Sequence, residues 1–136
     1  MDWMLMPYRR YFDFSGRSRR KEYWMFALLI FLIYIVMAFL SVMSGGSAEM
    51  GEAPTGGAAS MVIGLVFLVW AVGTLIPSLA VAVRRLHDTD RSGWWLLIGL
   101  VPLVGGLVLL YFYLIEGTHG PNRFGPDPKE GEARGV

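Results

Sequence analysis

The sequence predicts an all-α integral membrane protein, a helical bundle of three transmembrane helices with short cytoplasmic polar segments. Three observations carry that reading. Residues 24–43, 61–83 and 94–115 contain no Asp, Glu, Lys or Arg, although they make up almost half of the 136-residue chain. All 23 charges fall in the remaining residues, which are therefore about one-third charged, while the chain as a whole is 54% hydrophobic with a net charge of +1. Aromatic pairs stand at the ends of these stretches: Tyr23 and Trp24, Trp94 and Trp95, Tyr111 and Tyr113. Such a segregation excludes an ordinary soluble domain, where charge is spread over the surface, and a disordered chain. With no cysteine, a disulfide scaffold, a thiolate metal site and a thiol nucleophile are excluded as well.

Each stretch is long enough to cross. A hydrocarbon core of about 30 Å needs about 20 helical residues, and the backbone in lipid must satisfy its own hydrogen bonds, which leaves helices or closed barrels. Barrel strands alternate polar and apolar residues; the run Phe26-Ala27-Leu28-Leu29-Ile30-Phe31-Leu32-Ile33 does not. The first stretch is too long for a signal-peptide core of about 7–15 residues and reads as an uncleaved anchor. In the second, Pro77 follows Gly73 by four residues and predicts a kink. In the third, Pro102 with Gly105-Gly106 is a stronger interruption, which leaves two short apolar arms. A kinked span is the expectation; a re-entrant hairpin is the alternative.

Charge sets the expected orientation. Six Lys or Arg lie in residues 1–23, none in 44–60, three in 84–93 and three in 116–136. The positive-inside rule places the N-terminus and the 84–93 loop in the cytoplasm and the 44–60 loop outside. Three full spans then put the C-terminus outside; a hairpin would return it to the cytoplasm and bring every basic residue to one side. We take three spans. The 44–60 loop, with five glycines and Pro54, reads as a flexible connector. Residues 1–128 read as one membrane domain and 129–136 as a flexible tail.

The polar segments are more specific than the spans. They contain Gly-Arg-x-x-Arg-x-Glu-Tyr-Trp at 16–24, Arg-Arg-Leu-His-Asp at 84–88 and Asn-Arg-Phe-Gly-Pro-Asp-Pro at 122–128. In this order, around hydrophobic spans, they resemble the signature of the DUF805 family of small bacterial inner-membrane proteins of unknown function. The resemblance covers about residues 8–128. It implies a multi-pass protein of the bacterial inner (plasma) membrane and supplies no activity, catalytic residue or cofactor. Position 90 is Asp where many members carry Gly, which removes the residue best suited to a tight turn there.

Read physically, Arg17, Arg19, Arg20 and Lys21 form a basic cluster that anionic lipid headgroups at the cytoplasmic face would attract, by about 1 kcal/mol per residue. Glu22 at the membrane boundary needs a partner, and an ion pair with Arg84 or Arg85 would join the first two spans. Arg84 and Asp88 stand at i,i+4, Arg85 and Asp88 at i,i+3. The candidate polar site is thus Gly16, Arg17, Arg20, Glu22, Arg84, Arg85, His87 and Asp88. His87 titrates in the range of a pH sensor or proton relay. The Gly- and Pro-rich tail is irregular, with Asn122 and Asp127 as turn-capping residues, and its order suggests docking back onto the helices or onto a partner.

No catalytic, cofactor-binding or metal-binding residues are expected. Ser78 and His87, nine residues apart on one helix, are too far apart to hydrogen-bond, and two histidines without cysteine make a poor zinc site. No nucleophile-elbow, zinc-protease or phosphate-loop motif is present, so an enzyme is not expected. A pI near 8.1 is too mild for a nucleic-acid partner. The expected function is a structural, scaffold or regulatory partner protein of the inner membrane, contacting lipids and either a membrane-protein partner or further copies of itself. The alternative is a component of an oligomeric transporter or channel for small solutes or protons.

Overall fold

The structure, a computed structural model, describes residues 2–44 and 57–130. Helices dominate it: α1 (Asp2–Arg9), α2 (Arg20–Met43), α3 (Ala58–Asp88), a 3-10 segment (Gly93–Leu100) and α4 (Val104–Leu114). α2 and α3 contain the first two apolar stretches. With 24 and 31 residues they are long enough to cross a bilayer, and nearly all of their apolar side chains face outward rather than into a core. α3 runs through Pro77 without ending. Most of the 44–60 connector, residues 45–56, lies outside the described residues, as do residues 131–136 of the expected flexible tail.

The third apolar stretch does not form one long helix. The 3-10 segment covers eight residues and α4 eleven. At about 2.0 and 1.5 Å per residue, each arm is only about 16 Å long, half of the hydrocarbon thickness. The two arms pack against each other as a hairpin. The turn between them is tight: Val104 N donates to the Pro102 carbonyl at 2.8 Å, and Leu103 sits at φ 64°, ψ −59°, a strained γ-turn geometry. Gly105 allows the closure, because a Cβ on it would lie 1.7 Å from the Ile98 carbonyl oxygen. Where three transmembrane helices were expected, the structure has two long apolar helices and a shorter broken one. Counting apolar residues measured the length of the run, and the backbone folds back in its middle.

The chain forms two compact units. One comprises residues 27–75, in which the Tyr34 ring meets Phe67 at 5.1 Å and Trp70 at 5.7 Å, edge to face. The other comprises residues 1–26 and 76–136. Its core joins Ala82 and Leu86 of α3 to Phe112 and Tyr113 of α4, with Tyr23, Leu96, Val108, Leu109 and Ile115 packed around them. α3 ends in this unit. Asp90 N bonds the His87 carbonyl, Arg91 N bonds the Leu86 carbonyl, and Asp90 takes φ 59°. That is a Schellman cap with the left-handed residue supplied by Asp instead of Gly; the tight turn at position 90 forms despite the substitution.

Candidate functional site: a buried arginine cluster

α3 continues past its apolar run, and this extension carries Arg84, Arg85, His87 and Asp88 into the second unit. Arg84 is fully buried. Its Nη2 donates to Glu22 Oε1 at 3.0 Å, its Nε to Ser18 Oγ at 2.9 Å, and its Nη1 to the carbonyls of Arg10 and Asp13. The Arg84 carbonyl in turn accepts from Ser18 N at 3.0 Å. Glu22 is reached because α2 starts at Arg20, which leaves the carboxylate in the first turn, where the helix dipole favours an anion. The partner of Glu22 is thus Arg84, one of the two expected.

Arg85, also fully buried, pairs with Asp88 Oδ2 at 2.6 Å. Its remaining donors reach the carbonyls of Tyr113 and Ile115 at the end of α4. Asp88 gives its other oxygen to Arg17, 71 residues earlier in the chain, at 3.0 Å. Arg17 also donates to the carbonyls of Gly120, at 2.7 Å, and Thr118. Of the two spacings available to Asp88 on its own helix, it uses i,i+3. Three buried guanidinia thus meet two buried carboxylates, and the surplus positive charge is spread over backbone carbonyls. The carbonyls at the end of α4 are the orphan acceptors that a helix C-terminus leaves, and cations suit them. Trp24 Nε1 on the Tyr113 carbonyl and Arg20 on the Leu114 carbonyl complete that cap.

The tail closes the cluster. Thr118 N donates to the Asp88 carbonyl at 2.7 Å, and Gly117 passes so near that a Cβ would lie 2.0 Å from Asp88 Oδ2. Asn122 Nδ2 bonds the His87 carbonyl, and Phe124 stacks on the His87 ring at 4.0 Å with planes 4° apart. His87 Nδ1 is 3.0 Å from the Gly16 carbonyl, which can only accept, so Nδ1 carries a proton. Gly16 makes this approach at φ 77°, in the left-handed region. Asn122 and Asp127 cap turns as expected, through Phe124 N and Lys129 N, each at 2.9 Å. Of the two docking modes the tail sequence suggested, docking onto the helices is the one found. The tail is thus joined to the N-terminal segment through Arg17.

The basic cluster of residues 17–21 is also less available than its sequence implies. Arg17 is buried in the cluster, and Arg20 pairs with Glu116 at 3.6 Å. Arg19 and Lys21 lie over the Trp3 ring of α1 at 5.2 and 5.3 Å. Around the cluster, Asp13 is pulled down to about 2 by hydrogen bonds from Ser15 and Arg10. The Lys129 ammonium lowers Glu116, and the Lys129 backbone N–H lowers Asp127. All eight candidate residues fall in this one neighbourhood. Ser18, Asp13, Gly117, Phe124 and the α4 carbonyls were missed; of these only Phe124 and Ser18, inside the sequence motifs, carried a signal that could have pointed to them.

A family model described as "Protein of unknown function (DUF805)" matches residues 11–126. The chain belongs to the DUF805 family. Inner membrane protein YhaH of Escherichia coli is 43% identical over 129 residues, covering 95% of this chain and 98% of the relative. Inner membrane protein YhaI of the same organism is 41% identical over 131 residues, with coverage of 96% and 98%. The uncharacterized protein YiiR is 28% identical over 144 residues, covering 88% of each chain. No solved structure matches the chain. As a DUF805 member similar to these relatives over nearly its full length, the chain is an inner-membrane protein. The three motifs behind the family resemblance, at 16–24, 84–88 and 122–128, all supply side chains to the arginine cluster.

Proposed function

We propose that this DUF805 protein is a non-enzymatic structural or regulatory partner protein of the inner membrane, in which the arginine cluster is a fastener and not a substrate site. One observation carries the reading: the guanidinium groups of Arg17, Arg84 and Arg85 are buried, and every nitrogen of each is bonded within the chain. A site built to receive an anionic substrate would keep donors open. These donors instead tie the N-terminal segment, the start of α2, the end of α3, the end of α4 and the tail to one another. In this reading α2 and α3 cross the membrane, and the N-terminal segment, the 84–93 loop and the tail lie in the cytoplasm. That orientation places all 12 Lys and Arg on the cytoplasmic side and none in 44–60. Arg20 and Lys21 are exposed despite their contacts with Glu116 and Trp3, and in this reading their outer sides face anionic headgroups.

The test is purification in mild detergent with mass spectrometry of bound lipids and proteins, beside flux assays in proteoliposomes. A defined membrane protein in stoichiometric complex, without solute or proton flux, is the expected result. Substrate-dependent flux by the purified protein would overturn the reading in favour of a transporter.

A further inference from the structure

We propose that the hairpin of the 3-10 segment and α4 is inserted into the hydrocarbon of one leaflet, with its Leu100–Leu103 tip in contact with lipid acyl chains. Three features of the second unit point to this occupant. The hairpin contains no charged residue from Trp94 to Ile115, and the leucines at its tip face outward, Leu100 at 80% exposure and Leu103 at 87%, with Leu107 exposed as well. Much of the backbone at its turn is bonded within the hairpin. The carbonyls of Ile98, Val101, Pro102 and Leu103 accept from Val101, Gly105, Val104 and Leu107 within the hairpin, and Pro102 has no N–H to satisfy. Irregular backbone exposed to lipid is costly unless its polar groups are bonded in this way.

The third feature is its course. Phe112 and Tyr113 share a core with Ala82 and Leu86, and Val108 and Leu109 pack against it. The ends of α3 and α4 both lie at the arginine cluster, and α4 leads from there to the tip of the hairpin. Its start, ten residues from its end, lies about 15 Å from the cluster along the helix. Trp94 and Trp95 stand at the mouth of the hairpin, the level at which indoles favour the headgroup boundary. The inference goes beyond the fastener reading, and only its choice of the cytoplasmic leaflet rests on the orientation given there.

Because the chain has no cysteine, single cysteines report without background. Leu103→Cys and Leu100→Cys, spin-labelled and reconstituted in vesicles of phosphatidylethanolamine and phosphatidylglycerol, are compared with Lys129→Cys. The expected result is collision with oxygen and shielding from a water-soluble nickel chelate at 103 and 100, and the reverse at 129, a severalfold difference in accessibility ratio. Equal nickel accessibility at all three positions would overturn the proposal, as would spin–spin broadening at 103 and 100, which would mean that a second copy covers the tip. Either label alone decides if the other variant does not fold. A labelled tip deep in lipid together with a C-terminus outside the cytoplasm would overturn the orientation and leave the insertion standing.

Discussion

Glu22 and Arg84 stand 62 residues apart in the chain and 3.0 Å apart in space, and both are buried. An ion pair out of water is stable only if the rest of its hydrogen-bonding capacity is met. Here Ser18 and two backbone carbonyls meet that of Arg84. Removing the acid alone leaves the guanidinium without its counter-charge. Glu22→Ala is expected to lose about 3–5 kcal/mol, the usual cost of orphaning a buried charge, read as a lower midpoint of unfolding in mixed micelles. The charge swap Glu22→Arg with Arg84→Glu is expected to restore only part, since a carboxylate at 84 would face the carbonyls of Arg10 and Asp13. Full restoration would show that the pair acts alone.

The hairpin distinguishes two neighbouring glycines. Gly105→Ala sets a methyl against the Ile98 carbonyl, while an alanine at 106 meets nothing within 4 Å. The first is expected to destabilise by about 1–3 kcal/mol through overpacking. The second is expected to stabilise α4 by about 1 kcal/mol, the difference in helix propensity. Equal effects of the two variants would rule out the close approach of the arms.

Asp90 supplies the left-handed residue of the α3 cap, at φ 59°. Its side chain also pairs with Arg123 at 3.3 Å, an exposed pair of small worth. Asp90→Gly should relieve a backbone cost of about 1–2 kcal/mol and forfeit less than that, so the midpoint of unfolding is expected to rise. A fall would mean that the Arg123 contact outweighs the strain.

Much of this arrangement is legible in the sequence. Charge-free runs located α2 and α3, the placement of Glu22 demanded a basic partner, and the order of residues 117–128 pointed to a docked tail. What stayed hidden depends on distance in the chain. Arg17 and Asp88 both belong to the candidate site, but nothing near Arg17 indicates that its carboxylate is Asp88, 71 positions away. The break at Pro102 was visible, but whether such a break bends a helix or reverses it depends on whether the arms can pack. That is decided by the fit of Gly105 to the Ile98 carbonyl, a contact that no count of apolar residues contains.

Acid should loosen the N-terminal segment. Asp13 is held at about 2 in the folded chain, below its unfolded value near 4, by Ser15 and Arg10. A depressed carboxylate contributes stability that is complete above the unfolded pKa and is lost as pH falls through the folded one. Stability is therefore expected to decline from about pH 4 toward pH 2, and Asp13→Asn should flatten that part of the profile. The Asp13 carbonyl accepts from Arg84, so the loss should reach the cluster. An unchanged profile in Asp13→Asn would assign the acid sensitivity to other groups.

In the proposed orientation the third apolar stretch turns back, and the tail and the N-terminal segment share one side of the membrane. Alkaline phosphatase, active only outside the cytoplasm, and a fluorescent protein that folds only within it can each be fused after Val136. A silent phosphatase and a bright fluorescent fusion are the expected results. An active phosphatase after Val136, with a dark fluorescent fusion, would mean that the stretch crosses and would contradict that orientation.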